Sequence, residues 1–203
     1  MVQSNEEALY KRARSKYISK KFSIYLLQNC PDSPLRKAYT RSCYCSHELL
    51  VNDSGNLVGE YCKARWCLTC NRIRTALIIL GYGPQLRKLD DLHFMTLTAQ
   101  SCTKKELPGR IELFQKIWGA ILNRNRNDNQ RGRGRVLIGL RKCECTGRPG
   151  GRYHYHFHVV IQGYDNARWV MEEWMKRVTA VGLKISQAAQ DLRPADENTL
   201  LEL

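Results

Sequence analysis

The sequence has no long apolar run. Its longest, Ala76 to Leu80, is five residues, against the roughly 18 to 20 that cross a bilayer. A membrane-spanning helix is therefore excluded, and no membrane partner is expected. The opening residues MVQSNEEALYKRARSKY lack the apolar segment of a secretory signal. Without secretion, the nine cysteines are not expected to be disulfides, and their odd number argues the same way. A reducing, cytoplasmic setting with metal ligation suits them better. There is no internal repeat and no low-complexity tract.

Negative charge is also scarce. Asp and Glu total 19 against 33 Lys and Arg, a formal net charge of +14. A field of that strength favours a polyanionic partner, with nucleic acid first. Charge alone does not separate DNA from RNA, or either from a membrane surface.

What is present suits a folded chain. The 203 residues, 43% of them hydrophobic, are enough for one domain with a core and a small appendage. Residues 4 to 28 read as a basic helical arm carrying Lys11, Arg12, Arg14, Lys16, Lys20 and Lys21, ended by Pro31 and Pro34. The arm is expected to grip flanking duplex. A cysteine-rich segment follows over 41 to 74, with a turn at 52 to 55 and a helix that Gly81 and Gly83-Pro84 should stop. HFMTLT, 93 to 98, alternates as a strand. In PGRIELFQKIWGAILNRNR, 108 to 126, apolar residues recur at helical spacing. After a polar loop over 127 to 135, RVLIGLRKCEC and RYHYHFHVVIQG read as two strands joined by the turn TGRPGG. A second amphipathic helix spans 166 to 182, with Trp169 and Trp174 as core. LKISQAA is a weak strand, and PADENTLLEL begins like a helix.

The expectation is an α+β fold, an antiparallel β-sheet flanked by helices, with a small N-terminal zinc module. The domains are expected as arm 1–40, zinc module 41–83 and main domain 84–203.

Three of the five histidines, His154, His156 and His158, stand at alternate positions of one strand. Alternate side chains share a face. The imidazoles therefore point one way, while Tyr153, Tyr155, Phe157, Val159 and Ile161 point the other. Neutral imidazole is a common metal ligand. A cation that handles phosphate also wants a carboxylate. If the hairpin has no bulge, Glu144 pairs with 154 or 156 and joins the imidazoles. His154, near the turn, reads as an ordinary strand residue. Cys143 and Cys145 flank Glu144 and read as buried strand residues facing away from it.

Cys67-x-x-Cys70 opens a helix, and thiolates at that spacing suit tetrahedral zinc. Cys62 is the third expected ligand. The fourth is Cys45 or Cys43, with His47 in reserve, and Cys45 is preferred. Cys30 and Cys102 receive no role. Arg131, Arg133, Arg135, Arg148 and Arg152 are expected beside the histidine site as DNA backbone contacts.

HFHVV after a Gly/Arg turn, preceded by FMTLT, resembles the motifs of HUH endonucleases, in particular rolling-circle plasmid replication initiators. The likeness covers roughly residues 41 to 203. YCKARWCLTCNRIRTA is also similar to the cysteine motif ahead of the catalytic domain in a subset of those initiators. The resemblance implies an HUH/RRM-like sheet and a Mg²⁺ or Mn²⁺ ion on His156, His158 and Glu144. It also implies site-specific nicking and rejoining of single-stranded or hairpin origin DNA through a 5′-phosphotyrosine, with host replication machinery as a partner. The family's tyrosine follows the last strand, yet no tyrosine follows Tyr164. The nucleophile is therefore expected beyond Leu203, in a truncated chain. The alternative is a relative that binds origin DNA without cutting it. A zinc-containing RNA-binding protein is a third reading.

Overall fold

The computed structural model describes residues 5–54 and 57–196. The chain divides into two units, Met1–Tyr82 and Gly83–Leu203.

In the first unit, helix α1 (Asn5–Asn29) and helix α2 (Arg36–Cys43) precede a small hairpin, β1 (Leu49–Val51) with β2 (Leu57–Gly59). Helix α3 begins at Leu68, just after Cys67, and ends at Leu86. The basic arm and the cysteine segment thus belong to one unit. Ser19 on α1 joins them: its Oγ accepts the backbone N–H of Leu68 at 2.9 Å, satisfying one of the free donors at the start of α3. Lys16 Nζ donates to the Ser46 carbonyl at 3.0 Å, and Arg12 donates to the Tyr61 hydroxyl at 3.2 Å. Three cations expected to grip DNA are therefore spoken for in part: Lys16, Arg12, and Lys11 through Glu7 at 2.6 Å. Gly81 and Pro84 do not stop α3. Proline holds φ near the helical value and forfeits a single backbone bond, and the helix resumes with Arg87 N–H on the Gly83 carbonyl at 3.0 Å.

The second unit is α+β. Its elements are β3 (Leu92–Leu97), β4 (Cys102–Thr103), helix α4 (Leu107–Gln130), β5 (Gly139–Arg148), β6 (Arg152–Gln162), helix α5 (Tyr164–Ala180) and β7 (Asp191–Pro194). The five strands form one antiparallel sheet centred on β6. β5 pairs along one edge of β6. β3 and the short β4 share the other edge, and β7 lies outside β3. The β5–β6 turn uses Gly150 (φ 73°) and Gly151 (φ 67°), a left-handed backbone that glycine adopts without a Cβ clash.

Alternation decides the two faces. Met95, Leu97, Tyr155, Phe157, Val159 and Ile161 pack with Phe114, Ile117 and Ile121 of α4 and with Val170, Trp174 and Val178 of α5. Trp174 is fully buried, its indole N–H donating to the Thr98 carbonyl at 3.1 Å. Leu122 of α4 is exposed.

Three further boundaries differ from the sequence reading. The polar segment 127–130 continues α4, so the loop is shorter. LKISQAA is not a strand: a 3-10 turn occupies Gln187–Ala189, and the final strand comes after it as β7. Pro194, taken as a helix start, ends that strand. This is a tolerated place for proline because its missing N–H falls at a sheet edge. The rest of the expected C-terminal helix, from 197, lies outside the described residues.

Candidate metal centres

The first centre is built on β5 and β6. Their register sets Glu144 directly opposite His156, without a bulge, and Thr146 opposite His154. His156 and His158 come together at 3.1 Å between their Nε2 atoms. A Glu144 oxygen lies 3.6 Å from His158 Nε2. One ligand atom from each residue falls within 4.8 Å of the others. Cis ligands about 2.1 Å from a small divalent ion stand roughly 3 Å apart, so the two nitrogens already have a chelating separation. The donor set, two imidazoles and a carboxylate, fits a divalent cation.

The rings are held by their other nitrogens. His156 Nδ1 meets the His154 carbonyl at 3.1 Å, so Nδ1–H donates there and Nε2 is the nitrogen turned to the other two residues. His158 Nδ1 shares a hydrogen bond with Thr96 Oγ1 at 3.2 Å, and Phe94 stacks on the same ring at 5.3 Å between centroids. Both partners come from β3, where Thr96 pairs with His158. Such outer contacts fix ring orientation and raise ligand basicity. Lys142 Nζ lies 3.3 Å from the Glu144 carboxylate and neutralises part of its charge. His156 is buried and His158 half-buried; apart from the Phe94 ring on His158, the groups that meet their nitrogens are polar.

His154 belongs to the same face without joining the three ligands. It hydrogen-bonds Thr98 Oγ1 and stacks on His156 at 5.2 Å. Burial, then the charges of His156 and Arg148, keeps its pKa below the ordinary histidine value. It lines an open cavity of about 550 Å³ with Arg148, Lys184, Gln100 and Ser186. That cavity adjoins the histidines and is lined by two basic side chains.

The second centre lies in the first unit. Cys45, Cys62, Cys67 and Cys70 converge, with Sγ–Sγ distances of 3.4 Å (Cys45–Cys70), 3.5 Å (Cys45–Cys67) and 3.6 Å (Cys62–Cys70). Four thiolates on a tetrahedral zinc at about 2.3 Å stand roughly 3.8 Å apart, so this cluster has the size of such a site. Backbone N–H groups of Lys63 and Ala64 donate to Cys70 and Cys62 at 3.3 and 3.4 Å, placing partial positive charge around the sulfurs. Lys63 takes a left-handed φ of 59° to make its turn. Burial pushes the Cys45 thiol up, and pushes Cys70 up to about 11. Burial opposes ionisation of Cys67 too, but hydrogen bonds from the Cys70 backbone and neighbouring side chains lower it overall. Metal binding to such a set releases protons. Cys43 is buried, and neither it nor His47 is among the four converging ligands.

Two expectations need correction. Cys143 and Cys145 are exposed, not buried. They face the helix side as expected, but β5 is an edge strand, and α4 reaches it there through Gln115, whose amide contacts Cys143 Sγ at 3.4 Å. The five arginines do not form one cluster beside the histidines. Arg148 lines the cavity with His154, and Arg152 donates to the Ser101 carbonyl. Arg135 instead lies over the Trp169 ring at 5.8 Å, in the helix layer on the other side of the sheet. Its loop is tied to α4 through Asn125, and Arg131 and Arg133 bond their N–H groups to the Asp128 carbonyl.

Sequence reasoning missed Thr96, Thr98 and Phe94. The signal was present in FMTLT, whose alternate residues all face one way, but it needed the β3–β6 register to be read. Comparison with protein-family models, with curated proteins and with solved structures finds no match for this chain.

Proposed function

We propose that this chain is a metal-dependent DNA-nicking domain of the rolling-circle initiator type, with an HUH/RRM-like sheet, acting on single-stranded or hairpin DNA. The supporting observation is the placement of Glu144 opposite His156, beside His158, on the sheet face away from α4 and α5. In this reading the three residues hold Mg²⁺ or Mn²⁺. The ion supplies Lewis-acid polarisation of a scissile phosphate. Thr96 and the His154 carbonyl keep the two imidazoles aimed, and Lys142 tempers the carboxylate. Arg148 and Lys184 bind the flanking backbone along the adjoining cavity. The cysteine centre holds zinc and stiffens the first unit, which has little apolar core of its own.

In the reading's chemical step, a tyrosyl oxygen attacks phosphorus. An O–P bond forms to the enzyme, the P–O3′ bond breaks, and the leaving 3′-oxygen takes up a proton. Within residues 83–196 the tyrosines are Tyr153, Tyr155 and Tyr164. Tyr153 and Tyr155 alternate onto the face opposite the histidines. Tyr164 packs edge-on against His93 at 5.4 Å, and His93 also faces the helix side. None of these three tyrosines faces the histidines, so in the nicking reading the tyrosyl oxygen comes from outside residues 83–196; the second reading is an origin-binding protein that keeps the ion site without cutting. End-labelled single-stranded DNA incubated with the protein and Mn²⁺ separates the two. A cut strand with protein on its 5′-phosphate, lost in His158→Ala, supports nicking. Ion-dependent binding with no cut supports the second reading, and no ion effect on DNA at all would overturn both.

A further inference from the structure

Helix α1 inverts the usual polarity of a packed helix. Its buried side is lined by Ser15, Ser19 and Ser23, at 3%, 2% and 0% exposure. Ser15 and Ser19 return their hydroxyls to the carbonyls four residues earlier, at 2.8 and 2.7 Å, so these buried positions pack closely with small side chains. The large rings are on the outside. Tyr10, Tyr17 and Tyr25 are 69%, 63% and 59% exposed. At about 100° per residue, Tyr10, Arg14, Tyr17, Ile18, Lys21 and Tyr25 fall on one stripe, turned away from Ser19. Successive tyrosines are about 10 to 12 Å apart along the axis. Lys21 Nζ sits over the Tyr17 ring at 5.6 Å, so cation and ring already share one surface.

We propose that this outer stripe of α1 binds single-stranded nucleic acid, stacking bases on Tyr10, Tyr17 and Tyr25 while Arg14 and Lys21 contact phosphates. Aromatic rings interleaved with basic side chains are the pattern that grips unpaired strands, because every base has a stackable face and every linkage a negative charge. Paired duplex hides those faces, so the stripe selects for unpaired strand. A second copy of the chain is disfavoured by like charge, since each carries +14. A membrane surface calls for apolar residues segregated from the basic ones, and here Arg14 and Lys21 stand between the tyrosines. The surface does not draw on the histidine centre. Stacking does not read the sugar, so DNA and RNA strands are expected to bind alike.

The test compares the full chain with a Tyr10→Ala, Tyr17→Ala, Tyr25→Ala triple variant and with the corresponding triple Phe variant. The probes are fluorescein-labelled oligothymidylate, oligouridylate and a duplex, each of roughly 20 units so as to exceed one binding site. No divalent ion is added. The alanine variant should lose roughly tenfold or more in affinity for both single strands and keep its affinity for duplex. The phenylalanine variant should stay near wild type. The same tyrosine-dependent loss is expected in a His156→Ala background. The proposal is overturned if single-strand affinity is unchanged, if duplex affinity falls equally, if the loss disappears in the His156→Ala background, or if the alanines release the protein from phosphatidylserine vesicles and leave oligonucleotide binding intact.

Discussion

Glu144 stands directly opposite His156 in the β5–β6 ladder, and its carboxylate reaches to 3.6 Å from His158 Nε2. Three ligand groups from two adjacent strands thus share one sheet face with no long loop needed to bring them together. Strands position side chains more rigidly than loops do. The helices pack on the other face of the sheet, where the core lies.

Thr96 is a positioning residue for this centre. Thr96→Val removes the hydroxyl that shares a hydrogen bond with His158 Nδ1 while keeping a β-branched shape. Affinity for Mn²⁺ should fall by about tenfold, measured by calorimetry, with thermal stability near that of wild type. Unchanged affinity would mean that the ring is held by Phe94 alone.

How much of this was legible in sequence depends on what each inference needed. Alternation along 152–162 sorted histidines from core residues because strand periodicity is local. The Glu144 pairing was readable because a short turn joins β5 to β6. Thr96 was not, since β3 reaches β6 across about 60 residues and the register is a tertiary fact. Arg135 was misplaced for a related reason: proximity in sequence to β5 was taken as proximity to the site, whereas its guanidinium turns to Trp169 in the helix layer. Cys143 and Cys145 were judged by residue type, and an edge strand does not bury what its neighbours leave uncovered.

The cysteine centre should act as a structural metal site. Cys67→Ser should reduce zinc from about one equivalent per chain to near zero by elemental analysis, and should lower the melting temperature of the first unit. Zinc retained at the wild-type level would place the metal elsewhere.

Phe114 packs edge-on to Trp174 at 4.8 Å and lies within 6.0 Å of the Tyr155 and Phe157 rings, fully buried. Phe114→Ala should cost about 3–5 kcal/mol by denaturant unfolding, because a rigid sheet on one side and α5 on the other limit collapse into the cavity. A cost under about 1 kcal/mol would be typical of a surface position and would contradict the core described here.

Arg148 and Arg135 should differ. Arg148→Ala ought to weaken single-strand DNA binding and lower the slope of log affinity against log salt by about 0.7, the value for one lost single-strand phosphate contact. Arg135→Ala should leave that slope near wild type, since its guanidinium is engaged with Trp169. Equal effects in salt titrations would place both arginines on the DNA path.

The most direct test is a Mn²⁺ titration of the zinc-loaded protein, followed by electron paramagnetic resonance of the free ion. Wild type should bind about one Mn²⁺ per chain at the two-imidazole, one-carboxylate site. His156→Ala, His158→Ala and Glu144→Ala should each abolish that binding while zinc content stays the same. Mn²⁺ binding that persists undiminished in all three variants, or is absent from wild type, would contradict the account.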